Sequence, residues 1–372
     1  MKLGTRHPLL RFGAAQDAMT ESLSAATFIG EHLWVASDEL NSVERLSTDD
    51  GLIFQNHTSF PLDTLINLPA SGTGFDQEID IEGMDFRDSH LWLVGSHSIK
   101  RKKVKADDAG EDAKLIKKLA KVESEGNRFI LARIPVVINA QTGEPELVSP
   151  AENSSGSGQV SVASQLPGDV KNDALTDALR QAEAGKGDAH LAKFLDVPGK
   201  DNGLDIEGLA VAGDKVFLGL RGPVLRGWAV ILELSIETSD PSRLTLKDFG
   251  QNGRLYRKHF LDMDGLGVRE LCLDGEDLLI LAGPTMNLDG PTTLYRWRGA
   301  ITATDETLVR GKLLERVLEI PFGKGKDHAE GLTIVPGAEQ PRQLLVVYDS
   351  PASDRKEGPG EVRADVFELP AM

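Results

Sequence analysis

The chain has 372 residues, enough for one large domain or two ordinary ones, and 40% of them are apolar, enough for a sizeable core. Its formal charge of −17, from 41 basic and 58 acidic residues, excludes a general binder of nucleic acid or anionic membranes. A single cysteine, Cys272, rules out an internal disulfide and with it a secreted disulfide scaffold. Cys272 sits in an apolar run and reads as a small buried hydrophobe rather than a nucleophile. The opening MKLGTRHPLLRF has no apolar signal-peptide core, and no run approaches the roughly 18 apolar residues of a membrane span. A soluble, cytoplasmic protein is expected.

Taken from the N-terminus, the chain is organised by one recurring pattern. A worn copy, TESL, covers Thr20 to Leu23; DIEGM covers Asp80 to Met84; DIEGL covers Asp205 to Leu209. VRELC at Val268 to Cys272 and HAEGL at His328 to Leu332 are looser copies. After each come an apolar run, a polar turn and a second apolar run, which reads as two strands joined tightly. The glutamates fall at 21, 82, 207, 270 and 330, so the spacing is near 60 except for one gap of 125.

A further apolar segment precedes most copies: Phe60 to Leu62, Phe194 to Val197, Phe260 to Met263 and Glu319 to Pro321. Each unit is therefore read as four strands. The first segment, 7–12, is the missing fourth strand of the last unit. The second unit uses 83–86, 91–96, 127–137 and 191–197, with inserts at 98–126 and 139–189. The third uses LAVAG, KVFLGL, WAVILEL and LYRKHFLDM. The fourth uses LCLDG, LLILAG, TTLYRW and LLERVLEI, and the fifth LTIVPG, LLVVYD and ADVFEL. The insert 98–126 is a basic arm, either a solvated charged loop or part of an anion-facing rim. The insert 139–189 is a turn-rich loop followed by a short helix over 172–184. Leu175, Leu179 and Ala182 share one face of that helix, Asn172 or Asp173 caps it, and Gly185 stops it. It is expected against the outside of the ring.

The expected fold is an all-β propeller of four-stranded blades in a single domain, 1–372. Five blades are predicted, or six if the second insert hides strands, and the N-terminal strand closes the last blade. An open all-β sandwich is the alternative.

Antiparallel strands put the start of the first strand and the end of the second on one face. Glu21, Glu82, Glu207, Glu270 and Glu330 should then meet Asp38, His97, Arg221, Thr285 and Asp349 around one channel mouth. Clustered carboxylates repel, so partners are required. A hard cation such as Ca²⁺ or Mg²⁺, held by Asp80, Glu82, Asp205, Glu207 and Glu330, would serve. So would neighbouring backbone N–H groups, with the glutamates simply stapling blades together. Arg221 and Arg226, on one loop, suit a phosphate or carboxylate, and Glu21, Glu270 and Asp349 complete the ligand-facing set. His97 and His328 are the candidate proton-transfer residues. The four tryptophans, Trp34, Trp92, Trp228 and Trp297, read as core.

The segments HLAKFLDVPGKDNGLDIEGLAV, VFLGLRGPVLRGWAVILEL, SHSIKRKK and HAEGLTIVP resemble the bacterial domain-of-unknown-function family 3616, whose members are propeller-like. That family implies a fold and no activity. More distantly, the repeated Glu-Gly is similar to phytase-like and lactonase-like propellers, whose channel-mouth acids hold a divalent ion. Glu82, Glu207 and Glu330 match that placement; Glu21 and Glu270 lack the glycine. Two functions remain open: a cation-dependent hydrolase of a phosphoester or lactone, and a non-catalytic propeller binding a small anionic ligand or peptide.

Overall fold

The computed structural model describes residues 5–13, 17–70, 78–105, 108–124, 126–152, 160–250, 253–286, 288–337 and 342–370. Part of the turn-rich insert, 153–159, lies outside them. The protein is all-β, and its strands form antiparallel meanders joined in chain order. The first meander runs Leu23–Ile29, His32–Ser37, Ser42–Ser47 and Ile53–Pro61. The second runs Ile81–Arg87, His90–Gly95 and Leu131–Ile138. The third runs Asp205–Ala212, Lys215–Leu225, Trp228–Asp240 and Arg257–Asp262. The fourth runs Gly267–Asp274, Asp277–Gly283, Thr292–Trp297 and Leu314–Ile320. The last runs His328–Ile334, Gln343–Asp349 and Asp365–Glu368, and Thr5–Arg6 pairs with Asp365–Glu368 as its outer strand.

The first strands of successive meanders pack side by side, and His328–Ile334 returns to pack on Leu23–Ile29. That closed order makes the assembly a β-propeller and excludes the open sandwich. Apolar residues fill wedges between neighbouring sheets. Trp34 and Val43 pack with Ile81, Leu91 and Leu93 in one wedge; Leu279 and Leu281 pack with Leu344, Val346 and Tyr348 in another. Trp34, Trp92 and Trp297 are buried as expected, and Trp228 is half-buried.

The Glu-Gly pair has a steric cause. A Cβ on Gly83 would stand 2.8 Å from the Leu209 backbone nitrogen, and one on Gly208 would stand 2.9 Å from Leu271 Cγ. Glycine lets neighbouring first strands approach, while the residue before it bulges toward the channel. A register shift marks that bulge at Glu82, Glu207 and Arg269, and another spans Glu330 and Gly331.

Three sequence expectations need correction. The closing strand is Thr5–Arg6, not 7–12 as a whole. Pro8 carries no N–H for a continuous ladder, and Leu9–Arg11 instead joins Glu361–Arg363 and the start of Ile53–Pro61. The segment 191–197 is not a strand. Ala192–Phe194 is a 3₁₀ turn whose flanking Leu191 and Leu195 are buried, and the free edge of Leu131–Ile138 takes Pro145–Leu147 and Ser164–Gln165. Finally, helix α3, Ala174–Gly185, is not an outer decoration. The arm helix α2, Asp112–Leu119, has no buried residue, whereas Leu175 and Leu179 of α3 are fully buried with Leu131 and Leu204 in the wedge between two sheets. Among the described residues no helix is long and apolar enough to cross a membrane.

Candidate functional site

The bulges aim charged side chains at one end of the channel, where an alternating ladder forms. Arg221 bonds Asp205 and reaches Glu207 Oε1 at 2.5 Å. Arg269 spans Glu207 and Glu330; its Nη1 lies 3.2 Å from Glu207 Oε1 and 2.9 Å from Oε2, with hydrogen-bond alignment only to the first. Beside the ladder, Arg128 bonds Asp80 and holds Glu78 at 2.6 Å. All three guanidinium groups are buried, and the surrounding carboxylates outweigh that burial and raise their pKa values.

The acids outnumber these partners. Glu82 has no hydrogen bond or ion pair among the described residues. Burial, then the charges of Glu207, Asp80, Glu330 and Asp38, hold its carboxyl well above the usual range. Burial and the nearby Asp80 and Asp349 push Asp38 up to about 7, and its Oδ1 is buried without a partner. Burial raises Glu330 strongly; Arg269 opposes the rise and Asp349 adds to it. Burial likewise raises Glu207, against the pull of Arg221 and Arg269.

His328 stands at the rim with Nε2 3.3 Å from Asp289 and Nδ1 3.7 Å from Asp349. The nearby Asp349 carboxylate is the main reason its pKa is raised. Asp349 is lowered in turn, because His328 and Ser350 outweigh its burial. Glu330, Asp349, His328, Arg221, Arg269 and Lys200 all line one cleft.

Four expected site residues lie elsewhere. Glu21 ends the short helix α1, Asp17–Glu21, and its exposed carboxylate pairs with Lys356 at 2.5 Å. Glu270 is one residue past the bulge. Its Oε1 accepts the N–H groups of Leu209 at 3.1 Å and Leu271 at 2.8 Å, stapling two sheets, and burial keeps its carboxyl well above the usual range. Arg226 is exposed at the tip of a long hairpin, where it and Gly227 have φ of 52° and 96°, the conformation of a tight two-residue turn.

His97 is buried. Its Nδ1 faces the Gly95 carbonyl at 2.8 Å and its Nε2 the Asp173 carboxylate at 2.8 Å. Burial alone would lower its pKa, but Asp173 more than offsets this and raises it. Asp173 also caps α3 through Thr176. His97 thus ties the channel wall to the helix, and both its nitrogens are occupied.

Arg128, Arg269 and Lys200 belong to this candidate site by placement, and sequence reasoning missed them. Arg269 could have been found by counting back six residues from the turn glycine, which gives Glu207 from Gly213 and Arg269 from Gly275. Aligning on glutamate hid it.

The divalent-cation expectation has a direct geometric test. Asp80, Asp205, Glu207 and Glu330 already hold guanidinium groups. Among the described residues no three His, Cys, Asp or Glu side chains are placed to share a metal ion. The donor set as arranged does not fit a hard-cation cage. Cys272 is half-buried, and burial, with Asp85 next, pushes its thiol up to about 12, which removes it as a nucleophile at neutral pH.

The sequence profile of the family described as "Protein of unknown function (DUF3616)" matches residues 22–365. The chain belongs to this family. No curated protein matches it. Among solved structures it is similar to Myxococcus xanthus glutaminyl cyclase, at 10% identity and TM-score 0.40, over 99% of this chain and 96% of the other. It is also similar to the PQQ-bound aldose sugar dehydrogenase of Streptomyces coelicolor, at 11% identity and TM-score 0.38, over 99% of each chain. A streptogramin B lyase follows at 7% and 0.35, over 99% and 98%. Likeness at this level says nothing of ligand or reaction.

Proposed function

We propose that the channel mouth is an acid–base active site that hydrolyses a small phosphoester or lactone. The observation that carries this is that Glu330 and Asp349 line one cleft and are shifted in opposite directions, Glu330 upward by burial and Asp349 downward by His328 and Ser350 against its burial. Such a split is how a site supplies an acid and a base together. In the proposed step Asp349 accepts a proton from water, whose oxygen attacks the ester carbon or phosphorus. The ester bond to the leaving oxygen breaks, and that oxygen takes the proton of Glu330. Transfer of the proton from Asp349 to Glu330 through solvent restores both. His328 keeps Asp349 ionised and oriented. Of the residues expected to hold a cation, Glu82 is the one with no ion pair among the described residues, and no step is assigned to a metal.

The test is a hydrolysis screen of lactones and phosphoesters from pH 5 to 9. Glu330→Gln and Asp349→Asn should each lower kcat by about 10²-fold or more while the fold is kept. No turnover by folded wild-type protein would overturn the catalytic reading. The second reading, a non-catalytic site for a small anion, is favoured by Lys200, which lines the cleft with no ion pair among the described residues. Binding without turnover would establish it.

We also read the ring as five blades within one domain, supported by the order in which the first strands pack. An experimental density map with a sixth blade, or proteolysis releasing two separately folded pieces, would overturn that reading.

A further inference from the structure

The cleft has a second surface that proton transfer does not use. Met286, Leu288 and Phe322 line it and are 42%, 61% and 47% exposed. Met286 and Leu288 lie between Asp277–Gly283 and Thr292–Trp297 of the fourth meander, and Phe322 lies between Leu314–Ile320 and His328–Ile334. Large apolar side chains left in water together at the edge of a polar cleft mark a surface that something covers. The volume of the cleft is only about 50 Å³. It can admit a head group, so any longer portion of a ligand has to lie outward, across the lip.

The charge around the opening selects the head group. Lys200, Arg221, Arg269 and His328 face Glu330 and Asp349 there. The two arginines are engaged by Asp205, Glu207 and Glu330, which leaves Lys200 as the cation with no ion pair among the described residues. Lys200 follows the buried Pro198–Gly199 corner, and Asp201 beside it is tied to Arg101 at 2.6 Å. Its backbone is therefore held in place next to the channel.

We propose that the cleft binds a small amphiphile, with an anionic head on Lys200 and a short alkyl or aryl tail on Met286, Leu288 and Phe322. This deepens the hydrolase reading by naming the substrate class: an ester with one anionic group and an apolar chain. Carboxylate and phosphate heads share the required chemistry, and the experiment separates them.

The probes are straight-chain carboxylates and alkyl phosphates of four to eight carbons, titrated calorimetrically against the full chain. Affinity should rise about two- to fourfold with each methylene that reaches the lip. Whichever head group binds more tightly identifies the source. Leu288→Asp should abolish the length dependence and leave the four-carbon probe bound. Lys200→Ala should weaken every length by about tenfold or more, the effect of losing a charge-assisted contact. Thermal unfolding of both variants checks the fold. Absence of binding by either series would overturn the proposal, as would a length dependence unchanged in Leu288→Asp or equal binding of the matching alcohols. Turnover of short esters that ignores chain length would overturn it while leaving the acid–base reading intact. Chain-length-dependent binding with no turnover would do the reverse.

Discussion

Arg269 Nη1 lies 2.9 Å from Glu207 Oε2, across the joint between two neighbouring sheets, and the same guanidinium continues to Glu330 on the next. One side chain therefore links three successive first strands. Its burial makes the link structural as well as electrostatic.

Arg269→Ala should destabilise the protein by about 3–5 kcal/mol, because it removes one of the two counter-charges of the buried Glu207 carboxylate and the hydrogen-bond partner of Glu330. Urea unfolding at pH 7 measures this. Adding Glu330→Gln to that variant should cost less than Glu330→Gln does in the wild type, since the two groups share one network. Strict additivity would mean that the ladder carries no coupling.

Gly208→Ala should cost about 1–3 kcal/mol, the usual penalty for forcing extra volume into a packed joint. The new Cβ would stand 3.0 Å from the Glu270 carbonyl carbon and the Leu271 nitrogen, atoms that cannot move aside alone. An unchanged midpoint in the same urea assay would show that the first strands do not approach so closely.

Asp38 gives a pH signature. Its folded-state pKa of about 7 exceeds the ordinary 3.8, so between those values the folded chain holds a proton that the unfolded chain has lost. Stability therefore falls as pH rises through that window and levels off above it. Glu82 and Glu330 act in the same direction. Asp38→Asn should shrink the loss of Tm between pH 5 and pH 8. Parallel pH profiles for wild type and variant would mean that Asp38 is ionised throughout.

Added cations should do little. With four of the five expected ligands bonded to arginines, about 5 mM Ca²⁺ or Mg²⁺ should shift Tm by less than about 1 °C, since only a ligand that binds the native state raises it. A rise of several degrees would show that the carboxylates release their guanidinium partners to hold metal.

Much of this was legible beforehand. Periodicity revealed the strands of the third and fourth meanders, because each is a plain apolar run bounded by turns. The helix at 174–185 was legible from Leu175 and Leu179, yet its burial was not, since the same stripe suits a surface helix. Phe194 to Val197 misled because it looks like the other outer strands; after α3 the chain uses Leu191 and Leu195 to fill a wedge instead. Glu82, Glu207, Glu330, Arg221 and Asp349 were expected near one another and do lie near one another, since a repeat places equivalent residues together. Glu270 and His97 were not separable from them by residue type. A one-residue offset moves Glu270 from the channel into a sheet joint, and the partner of His97 lies 76 positions away.

The bulge positions carry Ser24, Glu82, Glu207, Arg269 and Glu330, so the repeats are not interchangeable. A chain made by copying the Glu207 unit around the whole ring would set acid beside acid at every seam, with no base between them. It would stay shut only in acid or with metal supplied from outside. The departures of the first and fourth units, at Ser24 and Arg269, are thus what let a circle of otherwise similar parts close in neutral water.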